Sequence, residues 1–257
     1  MRSSPRLLPG SFRHTAQIIV LVAAFVAWDG CTTARVRPAT EAQASTATLE
    51  WLDQQYGLVY DRPLERLLHK ITGRLSGTVY GSALETDLSR EQIVRYRELP
   101  WQVFVMREAT PNAFSLGAGA VVVTSGMLLE TRSEAELAAV IAHEMAHQLL
   151  GHTTSALEKQ RQTGAPAATF SLEDELAADR LGLKLLFVGR YQLSEALSAI
   201  AIGRQLGGES LGPDWLTLRM ANLHQELDQY PQHLPATESS REFNRVRRHL
   251  ALGRASS

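Results

Sequence analysis

Apolar residues along this chain fall into two registers. Leu64, Leu67, Leu68, Ile71 and Leu75 recur at intervals of three and four, the stripe of an amphipathic helix, and predict a helix over Pro63 to Leu75. A shorter helix is predicted over Leu49 to Tyr56. The period then changes to two. Trp101, Val103 and Val105 alternate with Gln102, Phe104 and Met106, and β-branched Val121, Val122 and Val123 follow the turn-prone Gly117-Ala118-Gly119. Strands at Trp101 to Met106, Ala113 to Leu116 and Ala120 to Thr124 make a small sheet. Helical patterning returns at Ser133, where Ser133 and Glu136 have capping-box spacing, and runs to about Leu150, with Gly151 as its stop. Gln160 to Thr169 reads as a loop, and Ser171 caps a helix ending near Gly189. Helices over Ser194 to Gln205, Asp214 to Gln229 and beyond Glu238 complete the pattern, which is α+β and mainly helical.

The first residues stand apart. Arg2, Arg6 and Arg13 precede an apolar run from Ala16 to Trp28 broken only by Gln17, the layout of a secretory signal peptide over residues 1–30. The run is shorter than the ~20 apolar residues of a membrane-spanning helix. Thr32 to Thr48 is rich in Thr, Ala and Ser with no apolar period, so residues 31–48 read as a flexible tether and 49–257 as one domain.

Composition narrows the chemistry. The 257 residues are 44% hydrophobic and carry a formal net charge of −1. No basic stripe points to nucleic acid, and Arg245, Arg247 and Arg248 read as a solvated helix face. Cys31 is the single cysteine, which excludes an internal disulfide and a thiolate-rich zinc finger. A metal site must therefore use His and carboxylates.

His143-Glu144-Met145-Ala146-His147 supplies one. Positions i and i+4 share a helix face, so both imidazoles aim at one point, and Glu144 stands where its carboxylate can activate a water there. The positions that would bear a metzincin's Gly and third His hold Leu150 and Thr153. His152 lies about 140° round a continued helix from His147 and reads as a surface residue. The better third ligand is Glu175 on the next helix, which completes a His₂Glu set with an open fourth position. Asp179, one turn on, would accept a hydrogen bond from a ligating imidazole. Ala177, Ala178 and Gly182 would let the two helices approach closely, and Glu173 and Asp174 read as helix N-terminal charges.

HExxH followed by Glu175-Leu176-Ala177-Ala178-Asp179-Arg180-Leu181-Gly182 resembles the zinc metallopeptidase family of the CAAX prenyl proteases and HtpX. Pro111-Asn112-Ala113-Phe114-Ser115-Leu116 and Val121-Val122-Val123-Thr124-Ser125-Gly126 are similar to that family's Asn-Ala-Phe segment and following strand. The absence of further apolar spans makes the form look like its periplasmic LoiP- and BepA-type members, and the absence of C-terminal helical repeats fits the LoiP-like form better. The resemblance implies a gluzincin-like fold, with a small sheet packed on the HExxH helix and a second metal-ligand helix. It implies one zinc ion per chain and endopeptidase activity on unfolded or misassembled proteins of the bacterial cell envelope, in protein quality control. It also implies that Asn112, Ala113, Phe114 and Ser115 lie beside the substrate. The other reading is a membrane-tethered chaperone or assembly factor that keeps its zinc and cleaves little. His233, in His233-Leu234-Pro235, is a candidate oxyanion donor beside Tyr191 and Tyr230. Gly30-Cys31 resembles a lipoprotein lipobox, which implies lipidation of Cys31 and, with Thr32 next, attachment to the periplasmic face of the outer membrane.

Overall fold

Residues 38–77, 88–163, 170–207, 214–231 and 236–255 are described by the structure, a computed structural model. The signal segment and Cys31 lie outside them, as does His233. Among the described residues no helix is long and apolar enough to cross a membrane.

The chain opens with α1 (Pro38–Tyr56), α2 (Arg62–Gly77) and α3 (Arg90–Glu98). Strands β1 (Gln102–Met106), β2 (Ala113–Gly117) and β3 (Ala120–Thr124) form one sheet in the order β1-β3-β2, with β1 parallel and β2 antiparallel to the central β3. The short α4 (Ser125–Glu130) leads to α5 (Glu134–Leu149), α6 (His152–Thr163) and α7 (Leu172–Val188). Helices α8 (Glu195–Gly207), α9 (Trp215–Leu227) and α10 (Arg241–Ala255) follow. The mainly helical α+β expectation holds, with the HExxH sequence on α5 and Glu175 on α7.

The sheet is buried on both faces, and that shapes the fold. Val121 and Val123 of β3 point into the larger core with α2, α5 and α7, whereas Val122 joins Leu52, Leu58, Met106 and Leu116 in a second core beneath α1. This revises the expected tether over residues 38–48; residues 31–37 lie outside the described residues. Residues 38–48 are the first three turns of α1. They lack an apolar stripe because they pack through small and polar side chains: buried Glu41 and Ser45, with Glu41 accepting the Ala118 N–H at 3.2 Å and the Thr154 hydroxyl at 3.3 Å. The β2–β3 turn is built for this contact. Gly117 has φ +84°, and a Cβ there would lie 2.7 Å from Glu41 Oε1, so only glycine fits.

Three smaller expectations are also revised. Ser133 caps α5 through the Glu136 N–H, but the Glu136 carboxylate takes the N–H of Arg132 rather than closing a capping box. The complete box is at α7, between Ser171 and Asp174. The loop expected from Gln160 is still helical to Thr163. On α10, Arg245 and Arg248 are exposed, but Arg247 turns inward and donates to the Leu129 carbonyl at 2.9 Å.

Candidate metal centre

Helix α5 is held rigidly before any metal enters. At one end Gln148 accepts the Gly119 N–H at 2.8 Å and donates to the Ala120 carbonyl at 2.9 Å, tying the helix to the hairpin. At the other, buried Glu134 meets Lys70 at 3.3 Å and the Tyr191 hydroxyl at 3.2 Å. Tyr191 is thereby committed to the core, stacked under Arg74, and its hydroxyl is spent on Glu134, whereas the Tyr230 ring packs on Phe187. Helix α7 lies against α5 with Gly182 at the contact; a Cβ there would come within 3.3 Å of the His143 amide nitrogen. The small residues of α7 do what their size suggested.

This close approach brings three donors together. His143 Nε2 and His147 Nε2 are 3.0 Å apart, and the Glu175 carboxylate lies 3.3 Å from the first and 3.7 Å from the second. All three ligand atoms fall within 4.8 Å of one another. Two imidazoles and a carboxylate converging without thiolates are the donor set of hydrolytic zinc. The electrostatics fit a cation as well. Burial works against charge on His143, but the carboxylates of Asp179 and Glu175 outweigh it and raise its pKa to about 10. Two carboxylates facing one imidazole favour a positive charge there, whether a proton or a divalent ion. His147 behaves oppositely: burial and the neighbouring His143 hold its pKa well below the usual value, which leaves it neutral.

Residues 86–173 match the sequence profile of peptidase family M48. The match ends two residues before Glu175, which the tertiary structure brings to the HExxH pair. His143, His147 and Glu175 make a zinc site of the M48 type. Relatives agree. The mitochondrial metalloendopeptidase OMA1 of Arabidopsis thaliana is 32% identical over 140 residues, 46% of this chain and 29% of the relative. Its Schizosaccharomyces pombe counterpart is 38% identical over 93 residues, 35% and 28% of the two chains. The beta-barrel assembly-enhancing protease of Yersinia pestis is 35% identical over 63 residues, 24% and 13%. The shared stretch thus spans less than a third of these relatives' own lengths.

Around the M48-type ligands the remaining residues fall into place. Glu144 is half-buried on the face beside His143, and its carboxylate takes the Ser115 backbone N–H. Burial is the main reason its pKa rises to about 7. Asp179 Oδ1 lies 3.0 Å from His143 Nδ1. Asn112 immediately precedes β2, and Ala113 to Ser115 lie on it, the edge strand facing α5. The Asn112 carbonyl accepts the Thr124 N–H at 2.8 Å, so alternation turns the backbone groups of Ala113 and Ser115 away from β3 to the open side.

Two residues escaped the sequence reading. Arg219 of α9, 7% exposed, grips Asp179 with two hydrogen bonds of 2.7 and 2.8 Å and reaches Glu175 at 2.7 Å. Its signal lay in the pattern of α9: Trp215, Arg219 and Leu223 are all buried at i, i+4 spacing, and a guanidinium on a buried face demands carboxylate partners. His152 is no surface residue, for its side chain is only 13% exposed. Gly151, at φ +80°, breaks the helix, and the chain turns back so that His152 Nδ1 comes within 3.0 Å of His147 Nδ1. Extrapolating a continuous helix across Gly151 produced the error. The cluster of candidate ligand atoms is His143, His147 and Glu175, with His152 behind His147.

Proposed function

We propose that the protein is a zinc-dependent endopeptidase. One observation carries the reading: an acidic side chain tuned near neutrality, Glu144, stands between a His₂Glu donor set and the open edge of a strand. Zinc, when bound, supplies Lewis acidity toward a peptide carbonyl. Glu144 removes the proton from the attacking water and delivers it to the leaving amine, a task suited to a pKa near the working pH. Asp179 and Arg219 hold His143 and Glu175 in place. The substrate lies extended along β2, where the outward carbonyls of Ala113 and Ser115 accept from it as from an added strand, and their N–H groups join once Asn112 Oδ1 and the Glu144 carboxylate release them.

The substrates we propose are unfolded or misassembled proteins of the bacterial cell envelope. The basic leader and apolar run support export, Gly30-Cys31 supports lipid attachment at Cys31, and the Yersinia pestis relative is a protease named for beta-barrel assembly. Detergent partitioning and the mass of the mature N-terminus test this part. A Cys31→Ala protein that stays equally membrane-bound with normal processed mass refutes the lipid anchor.

The enzyme assignment is tested with two variants. Glu144→Gln keeps the ligand set, so it should retain zinc while casein hydrolysis falls by roughly 10²–10⁴-fold, the usual contribution of general acid–base catalysis. Glu175→Ala should lose zinc and activity together. Glu144→Gln cleaving as fast as wild type would refute Glu144 as the general base, and a zinc-loaded wild type that leaves casein intact would favour the assembly-factor reading over the protease.

A further inference from the structure

The two imidazoles of the metal site are anchored differently. His143 faces a carboxylate directly, with Asp179 Oδ1 at 3.0 Å from Nδ1. Among the described residues His147 has no carboxylate at its Nδ1; it has His152 Nδ1 at 3.0 Å. Behind His152 stands Asp174, with Oδ1 3.4 Å from His152 Nε2. The other Asp174 oxygen, Oδ2, is engaged by Ser171 in the capping box of α7. The first turns of α7 therefore carry a metal ligand, Glu175, flanked by the anchors of both histidines.

Proton positions along this chain of groups follow from chemistry. His147 directs Nε2 at the ligand cluster, so Nε2 must offer its lone pair and the hydrogen must sit on Nδ1. His152 Nδ1 then accepts that hydrogen, which leaves the His152 hydrogen on Nε2, the nitrogen that faces Asp174. Each group has one consistent role. Stacking of the His147 ring on Phe170, with centroids 3.9 Å apart and planes 16° from parallel, fixes the ring's face but cannot select its tautomer. With His147 only 1% exposed, water is a poor substitute for the acceptor that Nδ1–H requires.

We infer that His152, itself oriented by Asp174, is a positioning residue that sets the tautomer and ring orientation of the zinc ligand His147. The inference rests on the zinc-site reading above. It makes His152 neither a ligand nor a catalytic residue.

The test uses the full chain and three substitutions, with zinc affinity measured by chelator competition and thermal unfolding of the metal-free forms as a control. His152→Leu fills the space without an acceptor and should weaken zinc binding by roughly 10–100-fold, the usual effect of removing a ligand's hydrogen-bond partner. His152→Gln offers an amide oxygen to Nδ1–H and should recover most of that loss, which a purely steric role would not allow. Asp174→Asn keeps a capping oxygen but removes the charge; it should weaken zinc binding less, and adding it to His152→Leu should cost nothing further, because Asp174 acts through His152. If wild type binds zinc tightly and His152→Leu does too, or if Gln does no better than Leu with both folded, the inference is overturned and the zinc site stands. If wild type itself does not bind zinc, both are overturned. Should His152→Leu fail to fold, Asp174→Asn decides, and unchanged affinity there overturns the inference.

Discussion

Arg219→Met removes the guanidinium that, among the described residues, balances the acidic side of the site. In the metal-free protein Arg219 makes two hydrogen bonds to Asp179 and one close ion pair to Glu175, and the side chains of all three are nearly inaccessible. Methionine matches the stem in volume, so packing changes little, while Asp179 keeps only His143 as a partner. Removing one member of a buried pair costs about 3–5 kcal/mol because the other charge is left uncompensated, and at ~2–4 °C per kcal/mol for a domain of this size the unfolding midpoint should fall by roughly 6–20 °C. Thermal unfolding followed by circular dichroism, with chelator present, measures it. The pH dependence is a second check. Burial pushes the Asp179 pKa up, but hydrogen bonds from Arg219 and His143 outweigh it and hold the value below the ordinary 3.8. A depressed folded-state pKa contributes stability that is fully present above the unfolded value and lost as pH falls through the folded one. The gap between wild type and Arg219→Met should therefore be full at neutral pH and close as pH falls through the carboxylate range. A loss under about 1 kcal/mol at neutral pH, the worth of an exposed pair, or a gap that widens on acidification, refutes this account of Arg219.

Three further outcomes are expected. Asp179→Asn keeps shape but loses charge beside His143 and should weaken zinc binding or activity by roughly 10–100-fold without unfolding; unchanged affinity with unchanged activity returns Asp179 to a purely structural role. Gly182→Ala places a methyl 3.3 Å from the His143 amide nitrogen, so α5 and α7 must part, with a loss of about 1–3 kcal/mol in urea unfolding and weaker zinc binding. Ser115→Pro removes the backbone N–H that turns toward Glu144 and the open strand edge, and should raise KM sharply in a protein that still binds zinc; wild-type kinetics in that variant would count against strand addition.

Spacing alone determined a good part of this protein. HExxH places two imidazoles on one face, Glu175 and Asp179 repeat the interval on a second capped helix, and Ala178 and Gly182 announce that the helices touch. Strand alternation from Trp101 and the valines of 120–124 defined the sheet that α5 packs against. These features are local, set by the 3.6- and 2-residue periods of the backbone. What the sequence left open depends on contacts between distant segments. Glu41 packs the first turns of α1 because the hairpin's Ala118, 77 residues on, and Thr154 of α6, 113 residues on, supply its partners, and burial through small and polar groups leaves no trace in an apolar pattern. Arg219 lies 40 residues from Asp179 and has meaning only once α9 packs on α7. His152 is five residues from His147, yet its position turned on one left-handed glycine, which reverses the chain and converts a residue on the far side of a helix into a neighbour of the metal ligand. Periodicity specifies which groups share a face; only packing decides which faces meet and which buried charges find each other.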